Sequence, residues 1–386
     1  GSLMMKLSTR GAGKRSAQEI ASFFDAAGGN ISGMCGDNSY VYQASVLAGD
    51  FASALDVFAD VVLDPAFAQK ELDSIRPLAE AAVRRQDEHW QSQLKKFFRE
   101  KFFHASPWRM LPEGNLSVIH NSTPEALKEY HREKIHADGS ALAICGNFDP
   151  AEAKKIIAER FGSMPKGTTP SLSETKSNLR TNAETHVLKT ETKQAGIIVA
   201  VPSPTLLDSK NRLPLMLLDT IISGYRLPNG WLHEELRGKK LVYVVHAYQK
   251  LGFLPGAFLV YAGAQPDKAP DVIDIIEANR RKAATYVPAP DELNRAINEI
   301  VTSEILENQT VDALAVSAAL NEMYGLGADW PRTLEAKRKA ITPEQVQAVA
   351  KKYLNAALVV TVITPKPELF PTETLVKADK QAEKVK

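Results

Sequence analysis

The chain has 386 residues, 44% of them hydrophobic and 24% charged, a composition that excludes disordered and fibrous proteins. A net charge of +1 gives no bulk field for nucleic acid or an acidic membrane surface, and no apolar run approaches the ~20 residues of a membrane span. Cys35 and Cys145 are too few for a disulfide framework and form no CxxC pair; they read as buried structural thiols, with a disulfide between them the alternative.

Along the chain, Ser16 is placed as the N-cap of an amphipathic helix at 17–26 that Gly28 and Gly29 stop. Residues 30–36 and 39–48 read as a hairpin turned at Gly36-Asp37-Asn38. Helices are expected at about 51–62, 68–104, 124–134 and 150–161, with a strand over the apolar run 141–146. Residues 163–185, rich in Gly, Pro, Ser and Thr, read as a linker. Beyond it come a strand at 195–201, a helix through Leu215-Met216, a helix at 230–237, a long helix opened by Glu292 and a strand at 358–363. A polar tail is expected over 367–386.

The halves repeat. Thr123-Pro124 and Thr342-Pro343 each cap a helix that leads into an apolar strand, 219 residues apart. Asp56-Val57 and Asp271-Val272 are 215 apart, Glu71-Leu72 and Glu292-Leu293 221, and Leu3-Met4 and Leu215-Met216 212. Small loop insertions account for the drift, and the period is too long for a solenoid. The expectation is a duplicated α+β domain, copies at 1–162 and 186–366, each a sheet covered by helices on one face. The second copy has the 195–201 strand ahead of its Leu215-Met216 helix, with no equivalent before Leu3. Truncation of the first copy, or excision from a longer polypeptide, is the preferred reading, and Gly1-Ser2 reads as a cloning remnant.

The opening segment, residues 2–7 followed by Gly11-Ala12-Gly13-Lys14-Arg15-Ser16 and a helix, resembles the start of the pitrilysin/insulinase (inverzincin) metallopeptidases. Their H-x-x-E-H motif precedes such a turn. The resemblance spans nearly the whole chain and implies two homologous pitrilysin-like domains paired as a clamshell. It places the first His on Ser2, the Glu on Met5, the second His on Lys6 and the third ligand, a Glu, on Ala81 or Ala82. None of these residues holds zinc or activates water. Residues 235–243 resemble the family segment in which an Arg and a Tyr grip substrate near the metal, here Arg237 and Tyr243, six apart against the usual seven. A guanidinium and a phenol both donate to a peptide carbonyl or a developing oxyanion. Arg237 could instead only cap the end of its helix.

Other candidates read as structure. Glu80 is rotated ~100–200° from the expected ligand face. Residues 85–89 have a Glu and a His of the motif, but Arg85 replaces its first His. His131 and His136 do not share a helical face, and His233-Glu234-Glu235 has no second His one turn on. Lys239-Lys240 reads as a solvated turn, Arg280-Arg281-Lys282 as cations at a helix end, and Gly11-Ala12-Gly13 as a tight turn.

The resemblance therefore implies a non-catalytic, inactive-domain member, similar to subunits of mitochondrial-processing-peptidase type. It would supply the Arg/Tyr arm and a chamber wall to a zinc-bearing partner subunit or fused half, itself holding no cofactor. Unfolded peptide, added to a sheet edge, is the expected substrate. The alternative is a structural or binding subunit of the core-protein type that no longer handles peptide. Compartment is left open between bacterial cytoplasm and periplasm.

Overall fold

A computed structural model describes residues 1–168, 182–224 and 229–370, and the backbone of 375–376. The first half runs α1 (Ser2–Ser8), α2 (Ala17–Ala26), β1 (Asn30–Cys35), β2 (Tyr40–Ser45), α3 (Phe51–Leu63), α4 (Gln69–Glu88), α5 (Trp90–Phe102), α6 (Leu116–His120), α7 (Pro124–Lys134) and α8 (Pro150–Phe161). The second runs β3 (Glu184–Lys189), β4 (Ala195–Pro202), α9 (Ser209–Ser223), β5 (Val242–Lys250), β6 (Ala257–Ala264), α10 (Ala269–Ala283), α11 (Pro290–Glu307), α12 (Val311–Met323), α13 (Trp330–Lys339), α14 (Pro343–Leu354), β7 (Val359–Thr364) and β8 (Leu375–Val376). The class is α+β. Most of the expected linker and tail, 169–181, 371–374 and 377–386, lies outside the described residues, while Phe370 is buried in a core.

The chain divides into two compact units that are not contiguous in sequence. One holds residues 1–85, 111–171 and 307–331, the other 86–110, 172–306 and 332–386. Segment 86–110 of the first half thus packs in the second unit, and 307–331 of the second half packs in the first. These segments are offset by 221 residues at both ends, the offset of the Glu71 and Glu292 helices.

In the first unit, α1 buries Leu3, Met4, Met5 and Leu7 against Phe67, Leu72 and Ile75. It lies so close under β1 that a Cβ on Gly33 would stand 2.4 Å from the Met5 carbonyl oxygen. The Gly11-to-Arg15 segment is the expected tight turn, closed by paired Ala12 and Arg15 backbone bonds at 2.9 Å. It aims Arg15 at Asp56 and Asp60 of α3, where Arg160 of α8 also lands. The Ser16 and Thr123 caps are as expected, and Glu19 completes a capping box with Ser16.

Two expectations fail. The apolar run 141–146 forms no strand. Its counterpart β7 is held between β3 and β4, whereas among the described residues no strand pairs with 141–146. The helix at 68–104 is two helices, broken at an extended His89 (φ −97°, ψ 119°). The apolar stripe of α4 (Leu72, Ile75, Ala79, Val83) serves one core and that of α5 (Leu94, Phe97, Phe98, Phe102) another.

The second unit carries a mixed sheet in the order β5-β6-β4-β7-β3-β8. β3 runs parallel to β7 and β8, and the other neighbours are antiparallel. Helices α9, α10, α11 and α14 cover one face. The expectation of a single covered face is corrected, because α5 covers the other with its Phe residues and Leu94. The reason is legible in β4, β6 and β7: all their residues are buried, so both faces must be shielded.

Candidate functional site

The degenerate zinc positions do not form a site. Met5 is 0% exposed within the first unit's core, while Lys6 projects outward on α1. Ser2 is half-buried, its N–H donating to the Pro112 carbonyl at 3.2 Å. Ala81 and Ala82 are half-buried on α4. Neighbouring Glu80 is not the solvated carboxylate expected, being paired with Arg84 at 3.2 Å and His120 at 3.4 Å. A buried thioether, an ammonium, a hydroxyl and two methyl groups do not fit zinc, which takes imidazole, thiolate and carboxylate. Among the described residues no group of three or more His, Cys, Asp and Glu could hold a metal ion. His131 is a core histidine, its Nε2 3.0 Å from the Val62 carbonyl and its pKa lowered by burial.

Arg237 and Tyr243 lie in the second unit, both exposed, Tyr243 at 58%. Two local departures from regular geometry aim them. Residues His233–Arg237 form a π-helical turn, in which the Gly238 N–H reaches the His233 carbonyl at 2.8 Å. The chain then turns through Lys240, at a left-handed φ of 57°, into β5. Tyr243 is the extra residue of a β-bulge: Val242 pairs with Ala264 and Val244 with Gly263. The structure groups Arg237 with two residues that sequence reasoning did not unite. The His233 and His246 rings lie 5.3 Å apart. Burial and then the Arg237 charge lower the His246 pKa, and burial, His246 and Arg237 lower that of His233.

Past this cluster, β5 is the edge strand beside an open cleft of 610 Å³. His246 and Tyr248 of β5, Tyr261 of β6, Gln91 and Lys95 of α5, and Asp219 of α9 line it. Asp219 is 5% exposed, and burial raises its pKa well above the ordinary carboxyl range against hydrogen bonds from Gln249 and Thr220. Gln249 donates its amide to the Arg212 carbonyl at 3.1 Å and leaves a buried Oε1 without a donor. At the outer edge of β5, the Ser223 hydroxyl accepts from the Ala247 N–H at 2.8 Å and donates to its carbonyl at 3.2 Å. The outward backbone groups of Ala247 are therefore occupied and not open to an added strand. Sequence reasoning missed this cleft; the usable signal was the unbroken apolar runs of β4 and β6, which call for a covering segment such as α5.

Among the described residues no helix is long and apolar enough to cross a membrane. The family model "Insulinase (Peptidase family M16)" matches residues 2–114, and "Peptidase M16 inactive domain" matches 121–300. An uncharacterized zinc protease of Streptomyces coelicolor is 24% identical over 92% of this chain and 78% of its own length. One of Mycobacterium leprae is 25% identical over 91% and 79%. In fold, the chain is similar to a peptidase M16 inactive domain from Pseudomonas fluorescens, with a TM-score of 0.81 and 19% identity over 94% of this chain and 88% of that one. A protease from Helicobacter pylori gives the same TM-score and coverage at 15% identity. The two matched models, in order along most of the sequence, and the missing ligand set make this chain a member of the M16 peptidase family, of its inactive type.

Proposed function

We propose that the chain is the non-catalytic half of a two-part M16 peptidase. Its two domains close as a clamshell against a zinc-bearing subunit or fused half, which holds the metal and cuts unfolded peptides. Arg237 and Tyr243 are the substrate-contacting arm. The guanidinium donates N–H bonds and the phenol an O–H bond to peptide carbonyls, and both strengthen as negative charge develops on the carbonyl being attacked. The observation that carries the reading is the contrast between a first helix with a core Met5 and an outward Lys6 at the motif's Glu and second His positions, and an exposed Arg237 and Tyr243 on a π turn and a bulge.

The test mixes the purified chain with the genomic neighbour that carries H-x-x-E-H and follows cleavage of an unfolded peptide. Activity should require both proteins, and Arg237→Ala or Tyr243→Phe should lower kcat/KM by about 10²-fold. No complex, and no change with either variant, would discard the proposal. The six-residue spacing of Arg237 and Tyr243 favours the second reading, a structural or binding subunit, and under it no peptide is retained.

A further inference from the structure

We propose that the cleft beside β5 is a carboxylate-binding subsite for extended peptide, built from the Lys95 ammonium and the Tyr261 hydroxyl. The proposal deepens the peptide-handling reading above and rests on it.

The donors are in place. Lys95 stands one turn after Gln91 on α5, so both reach the same cleft. It is exposed and makes no ion pair among the described residues. Tyr261 is 7% exposed, and its hydroxyl, which the Gln91 side chain approaches, closes no hydrogen bond of good geometry. Such a group gains by meeting an acceptor. The Trp90 indole stacks flat on its ring, centroids 5.6 Å apart and planes 9° apart, so the phenol is fixed before a ligand arrives. Burial pushes its pKa up to about 12, which keeps the O–H a donor.

Among the described lining residues Asp219 is the only acid, and its burial raises its pKa and so disfavours a negative charge there. His246 also lines the cleft, and its nearness to Arg237 makes the subsite continuous with the proposed arm. Because Ser223 occupies the β5 edge at Ala247, a peptide here is held by its ends and side groups more than by strand pairing. Volume is ample for a few residues.

The test measures binding of one fluorescent, extended peptide in three forms to the full chain: free C-terminal carboxylate, C-terminal amide, and amide with one internal Glu. The free-acid or the Glu form should bind about ten-fold tighter than the plain amide, the size of one charge-assisted hydrogen bond, and whichever does identifies the carboxylate source. Lys95→Met and Tyr261→Phe, an exposed and a near-isosteric change, should each erase that preference. Arg237→Ala should weaken all three forms and keep their ratio. Equal binding of the three forms, or a preference that survives Lys95→Met and Tyr261→Phe together, overturns the subsite alone. No binding of any form overturns the peptide-handling reading and the subsite with it.

Discussion

Gly196 and Gly263 are direct cross-strand partners in β4 and β6, and the Trp90 indole lies over both. A Cβ on Gly196 would stand 2.9 Å from Trp90 Cε3, and one on Gly263 2.7 Å from Cη2. The bare backbone pair is therefore the seat on which α5 docks. Trp90→Ala should cost about 3–5 kcal/mol and Gly263→Ala about 1–3 kcal/mol, measured by denaturation with hydrogen exchange of β4 and β6 as the local readout. In the Trp90→Ala background the Gly263→Ala penalty should shrink, because the clashing ring is gone. Additive penalties would show that the indole does not rest on this pair.

The acid Asp219 predicts a loss of stability as pH rises above 3.8. Its folded-state pKa is raised by burial above the ordinary 3.8, so the folded state binds more protons than the unfolded one above that pH. Stability then falls as pH rises from about 3.8 towards the raised pKa and is not regained beyond it. Asp219→Asn keeps the side chain's size and removes the titration. The variant should be more stable than the parent at neutral pH, with a flatter profile above pH 3.8, read from thermal or urea unfolding across pH. An unchanged profile would mean that Asp219 is ionised in the fold.

His246 reports on Arg237. The His246 pKa is lowered by burial and then by the guanidinium charge, and that of His233 by burial, His246 and Arg237. For groups depressed in the fold, stability is lost as pH falls through the unfolded value of 6.5. Arg237→Ala should move the His246 titration upward in NMR, more strongly at low salt. A fixed midpoint would place Arg237 away from His246 in solution.

How far these features were legible in the sequence depended on whether their cause was local. The caps Ser16, Thr123 and Thr342 were readable because a cap and its helix are neighbours in the chain. β4 and β7 were readable as unbroken apolar runs. The same kind of run at 141–146 gave the wrong answer, since a strand exists only if a distant segment supplies its ladder. The sequence reading placed residues 90–102 within one long helix over 68–104 and did not show that they cover β4, β6 and β7. Arg237 and Tyr243 were singled out through a motif resemblance, whereas the π turn and the bulge on which they sit have no period to detect. Asp219, Tyr261 and Lys95 carry no local signal, because α9, β6 and α5 meet only in the folded unit.

Rebuilding the zinc motif tests how far the first helix has drifted. Ser2→His, Met5→Glu and Lys6→His together write H-x-x-E-H at the degenerate positions, with Ala81 and Ala82 still lacking the third ligand. Met5 is 0% exposed among Leu3, Leu7, Phe67, Leu72 and Ile75, so a carboxylate there is desolvated in an apolar cluster. Met5→Glu alone should cost about 3–5 kcal/mol, whereas Met5→Leu, which conserves volume, should cost under about 1.5 kcal/mol. Lys6→His, on the exposed side of α1, should stay within about 0.5 kcal/mol of the parent. The triple variant should unfold more easily and take up no stoichiometric zinc by elemental analysis. One tightly held zinc per chain would mean that α1 can still turn this face outward, and the loss of metal chemistry would then lie in the side chains alone.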